Sequence, residues 1–318
     1  MEPVSANHVK ALRRFNRYFT RRIGVLDDHY LGQDRPLGEA RLLFEIGHDG
    51  ASLRELRSRL GLDAGYLSRM IRALEAQGLV RVSVHPTDSR LRMAELTPAG
   101  LVEVKEQNRR ANGLAEGLLS GLDARQRDEL TAAVAVAERL LRLAAITVEL
   151  VDGASRDARD CLAGYAADID DRFPEGFDPA ALVRPHEVSG DSGAFLVAYE
   201  EGRPVGCGAL RRLASGVGEI RHVWVRPVAR RLGLARRILL GLERQALERG
   251  YEVVRLDTHA VLTEAQAMYR ACGYTEIPRY DENVYAAHWF EKRLPHASDQ
   301  EVRAAVRRGT AHGRPPRP

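Results

Sequence analysis

From position 230 to 236 the chain reads Arg-Arg-Leu-Gly-Leu-Ala-Arg. The chemistry open to that spacing is phosphate binding. A helix starts here, because Ala235, Ile238, Leu239, Leu242 and Ala246 recur at helical spacing. The first N–H groups of a helix have no partner within it and sit at the positive end of its dipole. Gly233 lets that backbone approach a phosphate with no Cβ in the way. Leu232, Leu234 and Ala235 supply neighbouring amides, while Arg230, Arg231 and Arg236 add charge and paired donors. Taken alone, a glycine between arginines before a helix is more often a plain turn.

A second basic set lies in the first half. Between Arg54 and Arg92 there are Arg54, Arg57, Arg59, Arg69, Arg72, Arg81, Arg90 and Arg92 against Glu55, Asp63, Glu75 and Asp88. Such an excess can neutralise a nucleic-acid backbone, with a few side chains left to read bases. It can also do no more than solvate an exposed face.

The elements that must position the first set follow in order. Glu219 to Val225 reads as a strand, which Pro227 ends because proline has no N–H to donate. The helix from Leu234 is closed by Gly250, and Val253 to Thr258 forms a second strand. A further helix carries Ala265, Tyr269 and Cys272-Gly273-Tyr274. This order, with its Arg-x-x-Gly-x-Ala core, resembles the GNAT family of acetyl-CoA-dependent N-acetyltransferases over residues 146–294. Many members of that family have glycine where this chain has Arg231.

The resemblance implies acetyl-CoA as donor and an amine, small or on a protein, as acceptor. It implies that the pantetheine arm pairs with the backbone along Val223, Trp224 and Val225, and that Arg230 to Arg236 take the diphosphate. An alkylamine is protonated at neutral pH and must lose a proton before it attacks. Glu219 is the candidate acceptor of that proton, or else a structural partner of Arg221. Tyr269 stands where the family keeps a general acid, or else is a core tyrosine. His222 falls on the opposite face from Glu219 by strand alternation and reads as core or rim.

The second set has its own frame. Residues 5–30 read as a basic amphipathic helix and Gly38 to Gly47 as another. Ser52-Leu53-Arg54-Glu55 is a capping box opening a short helix that Gly61 ends. Asp63 caps the next helix, to about Gln77, with Leu67, Ile71 and Leu74 inward and Ser68, Arg69 and Arg72 outward. Leu79 to His85 and Arg90 to Leu96 form a hairpin around Pro86-Thr87-Asp88-Ser89. Residues 98–119 and 124–146 form two long helices, the second capped by Asp123.

This arrangement resembles the MarR family of winged helix-turn-helix regulators over residues 5–145. The carriers are Ser68-Arg69, Gly78-Leu79-Val80, Asp88-x-Arg90 and Leu96-Thr97-Pro98-x-Gly100. The resemblance implies double-stranded DNA as partner, with Ser68, Arg69 and Arg72 in the major groove and Arg90 on the wing. It also implies a homodimer joined by terminal helices, hence a palindromic operator. The apolar stripe Leu130, Val134, Ala137, Leu141 and Ala144 suits that contact, or burial against the second half.

Composition sets the remaining bounds. The chain has 318 residues, 44% hydrophobic and 29% charged, enough for two folded domains. No apolar run approaches the roughly eighteen residues of a membrane span, and residues 1–15 lack an apolar leader core. Cys161, Cys207 and Cys272 are scattered without metal-ligand spacing, which predicts buried thiols, no metal and a cytoplasmic location. The net charge of +4 rests on arginine, since Lys10, Lys105 and Lys292 are the only lysines.

The expectation is an α+β two-domain chain. A mostly α winged helix-turn-helix domain (1–145) is followed by a mixed α/β acyltransferase domain (146–294) and a disordered basic tail (295–318). A regulator whose second half only senses acetyl-CoA or a small amine is the rival reading.

Overall fold

A computed structural model describes residues 3–25, 30–33, 35–85, 88–191 and 193–295; the side chains of Tyr30, His85, Asp88, Ser89 and Arg90 lie outside the description. The tail from 296 onward and the wing-tip pair Pro86 and Thr87 also lie outside the described residues. The chain divides into two compact units, Met1–Ala135 and Val136–Pro318.

In the first unit, α1 spans Ala6–Arg22 and α2 Leu37–Ile46. The helix predicted over 5–30 therefore ends early, at Arg22, where Gly24 takes φ 68 in the left-handed region. Ser52 and Glu55 form the capping box that opens α3 (Leu53–Leu60), and Gly61 closes it at φ 61. Asp63 accepts from the Tyr66 amide at 2.9 Å and opens α4 (Ala64–Ala76). The strand β1 (Ala51–Ser52) joins the hairpin β2 (Val80–His85) and β3 (Asp88–Leu96) in the order β1-β3-β2. Leu42, Leu43, Ile46, Leu56, Leu67, Ile71 and Leu74 form the core beneath them.

The corner after the hairpin explains the Thr97-Pro98-x-Gly100 spacing. Thr97 Oγ1 donates to the Gly78 carbonyl at 2.6 Å and caps α5 (Pro98–Leu119) through the Gly100 amide at 3.1 Å. A Cβ on Gly100 would lie 2.1 Å from the Leu79 carbonyl oxygen, so only glycine fits.

The long helix α6 (Ala124–Ala145) crosses the division between the units. Its last turn is tied to the second unit's own elements. Arg142 makes a two-pronged pair with Glu200, at 2.7 and 2.9 Å, and Arg237 donates to the Leu143 carbonyl at 2.9 Å.

The second unit is a seven-stranded sheet in the order β4-β5-β6-β7-β8-β10-β9. The strands are β4 (Thr147–Val151), β5 (Ala194–Glu200), β6 (Arg203–Ala214), β7 (Val217–Val225), β8 (Val253–Thr258), β9 (Thr275–Ile277) and β10 (His288–Arg293). Strand β6 is the longest of the sheet, because its antiparallel pairing with β7 runs on to Ala214. Helix α7 (Arg156–Asp170) packs on one face through Ala158, Cys161 and Leu162. Helix α8 (Leu234–Glu248) packs on the other through Ile238, Leu239, Leu242 and Ala246. Strand β5 serves both cores by alternation, Leu196 and Ala198 facing α8, Phe195 and Val197 facing α7. Helix α9 (Thr263–Ala271) follows β8.

Two features of β7 shape the site. It pairs in parallel with β8 only from Val217 to Glu219, against Val253 to Arg255. A bulge also sits at His222 and Val223, which together face Gly208 across β6, and His222 takes φ 52. The bulge reverses the alternation, so that Ile220 joins the α8 core while Trp224 joins the α7 core.

Among the described residues no helix is long and apolar enough to cross a membrane.

Candidate functional sites

Among the described residues, six α-helices begin with a side chain bonded to their free amides: Ser5, Ser52, Asp63, Thr97, Asp123 and Ser155. Helix α8 does not. Its N-cap is Gly233, at φ 86, with no side-chain cap. The turn before it folds Pro227–Ala229 as a 3-10 helix, and Arg231 adopts φ 62, a conformation natural to glycine and strained for arginine. Arg230 turns back into the protein: its Nε donates to the Val225 carbonyl at 3.0 Å and its guanidinium pairs with Asp168. Arg231 and Arg236 stay exposed.

In front of these amides lies a cavity of about 660 Å³. It brings together Val223, Trp224 and Val225, the loop residues Arg230, Arg231 and Gly233, the helix start Leu234 to Arg236, and Tyr269. Leu232 does not line it; its side chain is 4% exposed in the α8 core. Open amides, two exposed guanidiniums and a β7 edge with no β8 pairing beyond Glu219 fit a diphosphate and an extended arm.

Glu219 does not line the cavity either. It is 0% exposed, its Oε2 accepts from Arg211 Nε, and its Oε1 accepts from the Tyr280 hydroxyl at 3.0 Å. Burial raises the Tyr280 phenol, and the neighbouring Glu219 and Asp257 charges raise it further. Glu219, Asp257 and Asp281 each place a carboxylate oxygen within 4.8 Å of the others. Arg221 lies among them, its Nη1 3.7 Å from Glu219 and 3.9 Å from Asp257.

Asp257 is the member of that group that lines the cavity. Its Oδ1 accepts from Asn283 Nδ2 at 3.0 Å, while its Oδ2 is buried without a hydrogen bond. Burial raises its carboxyl to about 6, against the pull of Arg221 and Asn283. Tyr269 is 6% exposed, and burial raises its phenol so that it holds its proton.

His222 is not on the far face that alternation assigned. The bulge carries it to the side of Val183, whose amide donates to His222 Nε2 at 3.1 Å. Nδ1 therefore bears the proton; it is buried and unpartnered. Burial, then the nearby Arg221 and Arg211, lower the imidazole's pKa and keep it neutral. Asp257 was missed because an orphaned buried atom is a tertiary fact; His222 is buried, as a core reading of it expects, and only its face depended on the pairing register. The only local trace of Asp257 is a lone acid in an apolar strand.

In the first unit, α4 buries Leu67, Met70, Ile71 and Leu74 and turns Tyr66, Arg69 and Arg72 to solvent. Ser68 is half-buried and accepts from Arg72 Nη2 at 3.1 Å. The Arg69 guanidinium lies 5.7 Å from the centre of the Tyr66 ring. Arg81 is paired with Glu95 and Arg59 with Glu45. The side chain of Arg90 lies outside the described residues. Helices α1 and α6 bury none of their residues, and Leu12, Phe15, Leu130, Val134 and Leu141 are exposed.

Comparison with known proteins agrees with this division. Residues 162–274 match the Acetyltransferase (GNAT) family and residues 33–91 the MarR family. The chain is 35% identical over 83 residues to an IAA acetyltransferase of Azospirillum brasilense, covering 26% of this chain and 54% of that protein. It is 34% identical over 87 residues to the uncharacterized N-acetyltransferase YjgM of Escherichia coli K12, covering 26% and 52%. The chain thus spans about half the length of these relatives. A GNAT-family acetyltransferase structure from Staphylococcus aureus Mu50 covers 47% of this chain and 100% of its own, at 17% identity and a TM-score of 0.40.

Proposed function

We propose that this chain, a MarR-family segment joined to a GNAT-family acetyltransferase segment, is a DNA-binding regulator that also transfers acetyl groups from acetyl-CoA to an amine. The observation that carries the enzymatic half is the uncapped start of α8 at the mouth of the cavity that also holds Tyr269.

The amides after Gly233, with Arg231 and Arg236, would hold the diphosphate, and Arg230 braces the loop through Val225 and Asp168. The backbone of Val223, Trp224 and Val225 would hold the extended arm. Acetyl-CoA supplies an acyl group activated as a thioester. Asp257, the carboxylate that lines the cavity, would take the amine's proton, with Glu219 reached only through it or through water, and Tyr269 would donate its own to the departing sulfur. Arg211 and Tyr280 hold Glu219 in place.

In the first unit, Arg69 and Arg72 would enter the major groove, and the exposed apolar faces of α1 and α6 would meet those of a second copy. A dimer of that kind reads a palindromic operator. Because Glu219 is fully engaged by Arg211 and Tyr280, a sensor that binds acetyl-CoA without turnover is the second reading. Calorimetric titration with coenzyme A, followed by thiol release from acetyl-CoA across an amine panel, separates the two. Binding with no release for any amine leaves the sensor.

A further inference from the structure

The acceptor end of the cavity is walled by rings from three separate segments. Tyr165 comes from α7, Phe173 and Phe177 from the loop after it, and His259 and Tyr285 from the two sides of α9. They form one cluster. Phe173 stacks on His259 with centroids 4.0 Å apart, and lies 5.8 Å from Tyr285. Phe177 lies 5.2 Å from Tyr285 and 5.7 Å from Tyr165.

The charges around this wall are nearly all spent. Asp168 is held by Arg230, and Glu264 by Arg172. Arg221 sits between Glu219 and Asp257. Asp257 lines the cavity, and its Oδ2 is buried without a hydrogen bond, 3.9 Å from Arg221 Nη1. Among the described residues, no unpaired cation faces this end to receive a carboxylate.

From this juxtaposition we infer that the acceptor is a monocationic arylalkylamine. Its flat body packs among Phe173, Phe177 and Tyr285, and its ammonium meets Asp257 Oδ2. Aromatic faces suit both parts of such a molecule, since they stack on a ring and attract a cation. One carboxylate oxygen left without a hydrogen bond matches one ammonium, which disfavours polyamines. The lack of a free cation disfavours amino acids. The ammonium gives one proton to Oδ2, leaving a neutral amine and a neutral Asp257. This assignment rests on the transferase reading above.

The test uses the full chain. Coenzyme A affinity is read by calorimetry, and thiol release from acetyl-CoA is measured with phenethylamine, spermidine and glutamate. The expected result is a kcat/KM for phenethylamine at least about tenfold above the others. Asp257→Asn should lower that value by about a hundredfold or more. Phe177→Leu, at a half-buried position, should raise KM for phenethylamine several-fold and leave coenzyme A affinity unchanged. Coenzyme binding with spermidine or glutamate preferred, or an Asp257→Asn enzyme with undiminished kcat/KM, overturns the inference alone. Absence of coenzyme binding overturns the transferase reading and the inference with it.

Discussion

Asn283 holds one oxygen of Asp257 and leaves the other bare: its Nδ2 donates to Oδ1 at 3.0 Å, while Oδ2 is buried 3.9 Å from the nearest guanidinium nitrogen of Arg221. A carboxylate in that position is costly to ionise and cheap to protonate. Its carboxyl stands at about 6 against an ordinary 3.8, with Arg221, Asn283, Glu219 and Asp281 as its charged and polar neighbours.

The pH dependence follows with a definite sign. The folded state binds Asp257's proton more tightly than the unfolded chain does, so stability falls as pH rises from about 4 to about 6 and is flat above. Asp257→Asn removes this slope. At pH 7 the variant should be more stable by about 1–3 kcal/mol, because an uncharged amide costs less to bury. Its activity should fall at the same time. In the wild type, kcat/KM should rise with an apparent pKa near 6, and that limb should vanish in the variant. Urea unfolding at several pH values gives the first readout and the rate profile gives the second. A variant that is less stable at pH 7 would show that Asp257 is a structural partner.

The turn before α8 gives a paired prediction. Arg231 holds φ 62 and Gly233 φ 86. Arg231→Gly relieves a left-handed strain of about 1–2 kcal/mol, partly offset by the greater freedom of glycine when unfolded. The net expectation is a gain of up to about 1 kcal/mol, with coenzyme A binding weakened at low salt and less so at high salt. Gly233→Val does the opposite. It forces a β-branched residue into the left-handed region and puts a side chain against the open amides, so coenzyme affinity should fall by at least about tenfold. Unchanged affinity in Gly233→Val would remove the diphosphate from this helix.

How far the sequence reached depended on whether a feature is local. The capping box Ser52–Glu55, the Gly61 stop and the Asp63 cap are settled within a few residues, and α3 and α4 follow from them. The α8 start is local too, since Pro227, Gly233 and the apolar period from Ala235 to Ala246 lie within twenty positions. The bulge at His222 depends on the register against β6, which no period in β7 reveals, and it carried His222 to the other face. Asp257 became visible only once Asn283 was seen to satisfy one of its oxygens and nothing the other. The ring wall joins Tyr165 to Tyr285 across more than a hundred residues.

Gly100 tests the winged unit by itself. Its would-be Cβ meets the Leu79 carbonyl oxygen at 2.1 Å, a backbone atom that no rotamer change can move. Gly100→Ala should destabilise this unit by about 3 kcal/mol, the upper end of overpacking costs. DNA affinity should fall, while coenzyme A binding by the second unit persists. Equal loss of both activities would mean that the two units do not fold independently.

Arg69 and Arg72 lie on the exposed side of α4, but they should fail differently. Arg72 is bonded to Ser68 Oγ at 3.1 Å, whereas Arg69 rests over the Tyr66 ring. Arg69 is nearer the amino end of α4, where groove-reading residues of such helices cluster. Arg69→Ala should cost about 1–3 kcal/mol on the cognate site and flatten discrimination at one base pair in each half-site. Arg72→Ala should weaken binding to all sequences alike and lower the magnitude of the salt slope by about one unit per arginine removed. Fluorescence anisotropy over a salt series, with a selected palindrome and a scrambled duplex, measures both. If neither substitution moves affinity at low salt, α4 does not face DNA and the arginines only keep that side of the helix wet.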